Sequence, residues 1–203
     1  MTDSAPDTET KIKEAAKRVF LANGYEGTKT RQIAEEAGVN MALVNYYFRS
    51  KEQLFKAIYM ETFASFFGTM IQLLNEATPL EVKVWKIVDK YTDFLIDNPL
   101  MPQFVLAEFG KNAATLFNEL DIKSVLKSAQ LSQQLRNEAE AGNIRVIGPF
   151  DFVIMLMGNI AFPFIARPVI SYVGDLDDMG FRAFVESRKT MVPEMIMGYL
   201  RQR

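Results

Sequence analysis

Residues 28–54 read TKTRQIAEEAGVNMALVNYYFRSKEQL, and this stretch decides the fold. Its pattern predicts two short helices that are joined at Gly38-Val39-Asn40, followed by another helix that opens at Ser50. Thr28 and Asn40 are suited to cap the two short helices, because their side-chain oxygens can accept hydrogen bonds from free backbone N–H groups. Gly38 is suited to the left-handed residue that ends the first of them. The stretch therefore predicts a helix-turn-helix unit.

Helical periodicity runs through nearly the whole chain, and no segment alternates convincingly with the period of two that a strand requires. A helix that precedes the two short ones is expected from Thr10 to Asn23, and a left-handed Gly24 should end it. Its apolar stripe has the spacing of one helix face. The residues expected to be buried on this helix are Ile12, Ala15, Ala16, Val19 and Phe20.

Several later helix starts can also be read from the sequence. Capping boxes are predicted at residues 50–53 and 78–81, the second with proline at the first helical position. Other helices are expected to begin near Pro102, Asp121, Pro149 and Asp178, and Gly142 should end the one that begins near Asp121. We therefore expect an all-α chain of about nine helices in three parts. These are a disordered tail (1–9), a three-helix DNA-binding head (10–56) and a larger helical body (57–203).

The composition excludes several classes of function. The 203 residues are 49% hydrophobic with a net charge of −2, as expected for a globular chain with a core. Cys and His are both absent, which excludes disulfides, Cys/His zinc sites and the Ser-His-Asp and Cys-His forms of catalysis. We therefore predict no catalytic residues, no metal site, no cofactor and no enzyme activity. Residues 1–10 lack the apolar segment of a signal peptide, so a cytoplasmic protein is expected.

Residues 150–173 superficially resemble a membrane span. Polar and proline residues interrupt this stretch, so no run of about 18 apolar residues remains. The interrupting residues are Asp151, Asn159, Pro163, Arg167 and Pro168. A buried or interface helix is expected here, and no membrane partner.

The helix after the turn should bury Val44 and Phe48, which leaves its other side chains facing outward. This outward set contains large apolar and aromatic residues, an unusual choice for a free surface. Amides can hydrogen-bond base edges or phosphates, Met, Ala and Leu side chains can touch thymine methyl groups, and Tyr hydroxyls can donate to phosphates. The outward residues predicted to contact DNA are Asn40, Met41, Ala42, Leu43, Asn45, Tyr46 and Tyr47. A plain three-helix unit, with these aromatics packed against another surface, is the alternative.

Two helix N-termini add predicted phosphate contacts, because the positive end of a helix favours an anion. The residues concerned are Thr28, Lys29, Thr30, Arg31 and Lys51. Residues 11–56 hold nine Lys and Arg against five Asp and Glu, whereas the chain from residue 57 holds fourteen against seventeen. A basic head on an acidic body is consistent with phosphate contact by the head.

Three segments together resemble the N-terminal domain of the tetracycline-repressor (TetR) family over roughly Lys11 to Met60. They are GYEGT at 24–28, IAEEAGV at 33–39 and YFRSKEQLF at 47–55. The resemblance implies an all-helical homodimer with a three-helix DNA-binding head and a regulatory body. It also implies DNA contact at Thr30, Arg31, Met41, Ala42, Asn45, Tyr46, Tyr47 and Lys51. Asn45, Leu43 and Met41-Ala42 depart from the common family pattern, so the operator sequence cannot be transferred from a relative.

The body is rich in Phe and Met. The resemblance implies that its helices enclose an effector cavity, and this soft lining would suit a small hydrophobic ligand. The candidate ligand residues are Phe63, Phe66, Phe67, Met70, Trp85, Tyr91, Gln103, Phe104, Glu108, Met155 and Asn159. Aromatic residues at helical spacing also serve as ordinary core, and the pattern leaves both readings open. Residues 149–168 and 179–200 resemble the last two family helices, which implies a dimer interface.

These expectations define a leading hypothesis and an alternative. The first is a ligand-responsive transcriptional regulator that binds a palindromic double-stranded DNA operator as a homodimer and is released by a small effector. The alternative keeps the DNA-binding head but assigns the body to a protein partner. That alternative predicts no enclosed cavity and an apolar patch beyond the dimer interface.

Overall fold

The computed structural model describes residues 7–106 and 130–202, and these residues form helices with no β-strand. Residues 101–106, which precede the undescribed segment, are also helical and are not numbered among the helices below. The helices are α1 (Thr8–Gly27), α2 (Thr30–Ala37), α3 (Met41–Phe48), α4 (Lys51–Asn75), α5 (Leu80–Asp97), α6 (Gln130–Glu140), α7 (Pro149–Ile165), α8 (Arg167–Val173) and α9 (Asp178–Arg201). The prediction of an all-helical chain is confirmed. The helix start expected near Asp121 lies outside the described residues, as does most of the predicted tail.

The chain forms two compact units, Met1–Ser65 and Phe66–Arg203, which we call the head and the body. The division falls within α4, whereas the sequence placed the domain boundary after residue 56. α1 begins at Thr8, so the last residues of the predicted tail are helical.

The core of the head is built as the periodicity predicts. The five residues expected on the inner face of α1 are all buried. Ile33 and Ala34 are buried on α2, and Val44 and Phe48 on α3. An aromatic contact joins α1 to α4. The ring centroids of Phe20 and Phe55 are 4.9 Å apart, in an edge-to-face arrangement. Aromatic pairs of this kind add about 0.5–1.5 kcal/mol beyond area burial.

The turn between α2 and α3 is fixed at both ends by local hydrogen bonds. Gly38 is left-handed, with φ 66° and ψ 31°, and the N–H of Val39 donates to the carbonyl of Ala34 at 3.0 Å. This is the Schellman arrangement that satisfies the last carbonyls of a helix. The Asn40 side chain then accepts from the N–H of Leu43 at 2.8 Å. The predicted stop at Gly38 and cap at Asn40 are therefore confirmed.

Three other predicted helix ends differ from the structure. Gly24 has a positive φ of 68°, but its ψ of 171° is extended, and helical structure resumes as far as Gly27. Lys29, not Thr28, precedes α2. Pro79 precedes α5 in place of Thr78, and the Thr78 hydroxyl is buried with no hydrogen-bond partner. The cap expected at Ser50 is confirmed, since its hydroxyl accepts from the N–H of Gln53 at 3.1 Å.

In the body, α5 packs against α7 and α9, and α7 also contacts α9. An ion cluster joins α5 to α9: Lys189 lies 2.9 Å from Asp89 and also pairs with Asp93. Among the described residues, no single helix is long and apolar enough to cross a membrane. The pair α7 and α8 passes that test together by length and composition, with a bend of 68° between them.

The left-handed turn yields a stability prediction. Gly38→Ala should destabilise the head by about 1 kcal/mol, because a side chain disfavours positive φ while the added Cβ meets no atom within 4 Å. Gly27→Ala is the matched control, since its Cβ would make only an ordinary contact of 3.6 Å with Asn23. Hydrogen exchange of α2 and α3 amides measures the effect. Equal exchange in the two variants would contradict the role of Gly38.

Candidate nucleic-acid interface

Helix α3 exposes the face that the sequence predicts. Tyr46 is 79% exposed and Met41 51%, whereas Val44, on the opposite side, is 2% exposed. Ala42, Leu43, Asn45 and Tyr47 are exposed as well. The outward orientation of these residues is confirmed. Their contact with DNA stays a prediction.

The Asn40 amide has a divided role. Its oxygen is used by the cap on Leu43, so only its NH₂ group is left to donate to a base or a phosphate. Asn45 lies one turn further along the same helix, and its side chain is exposed. Of the two amides, Asn45 is therefore the one suited to the bidentate hydrogen bonds that recognise a base.

The start of α2 carries two exposed cations, Lys29 and Arg31. Lys29 is exposed, and its backbone N–H donates to the Gln32 side chain at 2.8 Å. Arg31 pairs with Glu35 at 2.9 Å, but the Arg31 side chain is 82% exposed. Exposed ion pairs contribute only about 0–1 kcal/mol, so Arg31 can exchange its carboxylate for a phosphate at little cost. Thr30 opens the helix and is half-buried.

Thr28 does not belong with these residues. It is 2% exposed, and its hydroxyl donates to the carbonyl of Gly24 at 2.7 Å. The structure thus contradicts the prediction that the Thr28 side chain contacts DNA. Since Gly24 interrupts α1, its carbonyl needs a donor from elsewhere, and Thr28 supplies one.

Lys51 also acts mainly within the protein. Its ammonium group donates to the carbonyls of Tyr25 (2.8 Å) and Thr28 (3.1 Å), and it lies 4.4 Å from the centroid of the Tyr25 ring. These contacts fasten the start of α4 to the connection between α1 and α2. One of the three ammonium donors remains for a phosphate. The sequence showed a cation at a helix start but could not show the two carbonyls that converge on it.

Arg49 is an exposed cation that the sequence reasoning omitted. It follows α3 directly and adopts a positive φ of 54° with ψ −38°, a conformation that costs a non-glycine residue about 1–3 kcal/mol. The sequence does show an arginine between α3 and the cap of α4 at Ser50, and this position could have marked it as a candidate phosphate contact. Its side chain is exposed, directly after the last residue of α3.

The described candidate ligand residues of the body differ in their surroundings. Phe66 stacks on Phe94 with ring centroids 3.8 Å apart and lies 5.0 Å from Tyr91. Burial raises the pKa of Tyr91 to about 12, so its hydroxyl is neutral. Phe104 is buried. Of the other candidates, Phe63 falls in the head, Trp85 and Gln103 are exposed, Phe67, Met70, Met155 and Asn159 are half-buried, and Glu108 lies outside the described residues.

Asn159, one of these candidates, lines a cavity between α5, α7 and α9. The volume of the cavity is about 10 Å³, and Thr92 and Arg188 also lie on its wall. A cavity of this size holds about one water molecule. It is too small for a hydrophobic effector.

The short capped turn and the exposed eight-residue helix define the class of the protein, which is a helix-turn-helix DNA-binding protein. Residues 12–58 match the family model of the bacterial regulatory proteins, tetR family. The N-terminal part of the chain therefore carries a DNA-binding domain of the tetR family.

Similar proteins agree with this assignment. The probable HTH-type transcriptional regulator YttP of Bacillus subtilis (strain 168) is 24% identical over 169 residues, which cover 82% of this chain and 81% of YttP. The HTH-type transcriptional regulator RutR of Escherichia coli (strain K12) is 25% identical, with 73% and 69% covered. The crystal structure of the transcriptional regulator FadR from Bacillus subtilis, in complex with stearoyl-CoA, shares the fold. Its TM-score is 0.64 at 21% identity, with 94% of this chain and 98% of FadR covered.

The contacts of Lys51 yield a second stability prediction. Lys51→Met should destabilise the head by about 1–3 kcal/mol, because it removes charged hydrogen bonds to two carbonyls. Lys17→Met is the control, since Lys17 is exposed on α1 and should change stability by less than about 0.5 kcal/mol. Hydrogen exchange of α1 and α4 amides reports the difference. A Lys51→Met head as stable as that of Lys17→Met would show that these hydrogen bonds contribute nothing.

Proposed function

We propose that the chain is a ligand-responsive repressor that binds a two-fold symmetric DNA operator as a homodimer. The observation that supports this best is the outer face of α3, where Met41, Tyr46 and Tyr47 are exposed although they are large and apolar. In the major groove these side chains would be covered by base edges and sugars. Asn45 is the proposed base-reading residue.

Phosphate contacts would then come from the residues that flank α3. Lys29 and Arg31, at the start of α2, and Arg49, directly after α3, are exposed cations. Such contacts set the register of the protein on the duplex but carry no sequence information. Each phosphate neutralised releases counterions, so affinity should fall steeply with salt.

The homodimer is proposed to form through α7 and α9. Each of these helices buries one face and leaves an apolar face exposed. On α7 the exposed residues recur at helical spacing, with Phe150 63%, Ile154 52% and Phe162 61% exposed. On α9 they are Met191, Met195 and Tyr199, each between 43% and 45% exposed. A two-fold contact would cover these faces on both copies and place two α3 helices in successive major grooves, about 34–36 Å apart.

The effector is proposed to be a small hydrophobic molecule bound by the body. The FadR structure is a complex with stearoyl-CoA, and the Phe- and Met-rich body here would suit an apolar chain. Helix α4 belongs to both units, so its movement could lower operator affinity. A coupling of about 1–3 kcal/mol between the two binding events is typical.

One observation favours the alternative, in which the body binds a protein partner. Helix α8 exposes Val169 (64%), Tyr172 (85%) and Val173 (76%). A thermal-shift screen with saturated acyl-CoA esters separates the two functions. A stabilising ester that also releases operator DNA supports the effector. Capture of one protein on operator DNA, lost in Tyr172→Glu, supports the partner.

The phosphate contacts predict a specific effect of charge removal. Arg31→Ala should weaken operator binding about 5- to 20-fold for all sequences and reduce the slope of log K against log salt by about 1. Arg182→Ala is the matched control, because Arg182 forms the same i,i+4 pair with Glu186 on α9 and should leave both quantities unchanged. Fluorescence anisotropy with a selected operator at several salt concentrations provides the measurement. Equal slopes in the two variants would remove Arg31 from the interface.

The dimer surface predicts that a charge on the apolar face separates the protomers. Met195→Glu should shift the sedimentation coefficient toward the monomer and reduce operator affinity by at least tenfold, since burying an unpaired carboxylate is costly. Val82→Glu, at an apolar position of α5 that is 42% exposed, is the control and should stay dimeric. A dimeric Met195→Glu protein would place the interface elsewhere.

A further inference from the structure

Arg188, on α9, carries a guanidinium group with no carboxylate partner among the described residues. One terminal nitrogen donates to the main-chain carbonyl of Asn159 at 3.1 Å, and the group lies 5.7 Å from the ring of Phe184. Its Nε is buried and has no hydrogen-bond partner. A guanidinium group has five N–H donors, and the Nε–H is the one that is buried without a partner among the described residues.

The contact with Asn159 has a local cause. In α7 the carbonyl of Asn159 would normally accept from the residue four positions later, but that residue is Pro163, which has no N–H. Arg188 supplies the missing donor. This explains why an arginine reaches into the body at this point, and it accounts for only one nitrogen.

The nearby carboxylates are already paired. Lys189, the next residue, pairs with Asp89 and Asp93 of α5 and lies 3.4 Å from Glu186. Thus three acids surround one cation, while the neighbouring cation has none. Arg188 is half-buried, and this partial burial lowers its pKa. The atom that is fully buried is Nε.

The space beside Arg188 fits a counter-charge. Arg188 lines the cavity of about 10 Å³ between α5, α7 and α9, which has room for one atom of about the size of a water oxygen. The buried Thr92 contributes a second polar side chain to the wall. Ile160, Phe164 and Val192 make the rest of the wall apolar, which strengthens an electrostatic contact by excluding water.

We propose that this cavity binds a singly charged anion, which accepts a hydrogen bond from Arg188 Nε and a second from the Thr92 hydroxyl. The anion is a halide ion or one oxygen of a carboxylate group on a ligand of the body. It joins the three helices that meet at this point. The site belongs to the body and involves α7 and α9, the helices of the proposed dimer, whereas the proposed DNA contacts belong to the head.

The test is thermal unfolding at constant ionic strength, with sodium gluconate replaced stepwise by sodium chloride, bromide or formate. Gluconate is too large to enter the cavity. The wild-type chain should show a saturating rise in the unfolding midpoint of about 2–4 °C for the anions that bind. Arg188→Gln should show no saturating rise, whereas Arg182→Gln, which removes an exposed cation from the same helix, should behave as the wild type does.

The choice of anion separates the two sources of charge. A response to chloride and bromide alone defines a halide site, and a response to formate defines a carboxylate subsite. Identical, unsaturated salt responses in all three proteins would overturn the proposal. If Arg188→Gln does not fold, anomalous scattering from wild-type crystals grown in bromide decides the matter. A bromide peak beside Arg188 Nε supports the site, and an ordered water there at saturating bromide and at saturating formate contradicts it.

Discussion

The left-handed turn at Gly38 is the constraint on which the rest of the head depends. Helix α3 has eight residues and buries two of them, so it is far too short to be stable alone. Its direction is set by the Schellman hydrogen bonds at Gly38, the cap at Asn40, and the packing of Val44 and Phe48. The other side chains of α3 are thereby held on its exposed side.

The head combines a buried scaffold with an exposed outer face on α3. Lys51 and Thr28 resemble surface residues in the sequence, yet both are used within the protein, because the interruption at Gly24 leaves backbone carbonyls that require donors. They strengthen the scaffold. Arg31 and Arg49, by contrast, remain exposed beside α3. Cations that look alike in sequence therefore divide into scaffold residues and candidate phosphate contacts.

The features that could be predicted from sequence are those with local causes. Gly38, Asn40 and Ser50 act through residues within five positions, and the buried stripe of α1 follows from helical spacing. Thr28 and Lys51 could not be predicted, since their partners depend on how the chain bends at Gly24. The ligand-binding role of the candidate residues stays a prediction: among those described, Phe66 and Tyr91 pack together, whereas Trp85 and Gln103 are exposed. Aromatic spacing identifies a helix face but does not show whether that face encloses a core or a ligand.

We propose that α3 reads DNA as one half of a symmetric pair of helices. The decisive measurement is selection of bound sequences from a random double-stranded pool by the full chain. An inverted repeat should be enriched, with half-sites centred about one helical turn, or a small multiple of it, apart. Asn45→Ala should relax the preference at one symmetric pair of positions and leave the spacing unchanged. Recovery of sites without two-fold symmetry, or of no enriched sequence, would show that α3 does not read DNA in this way.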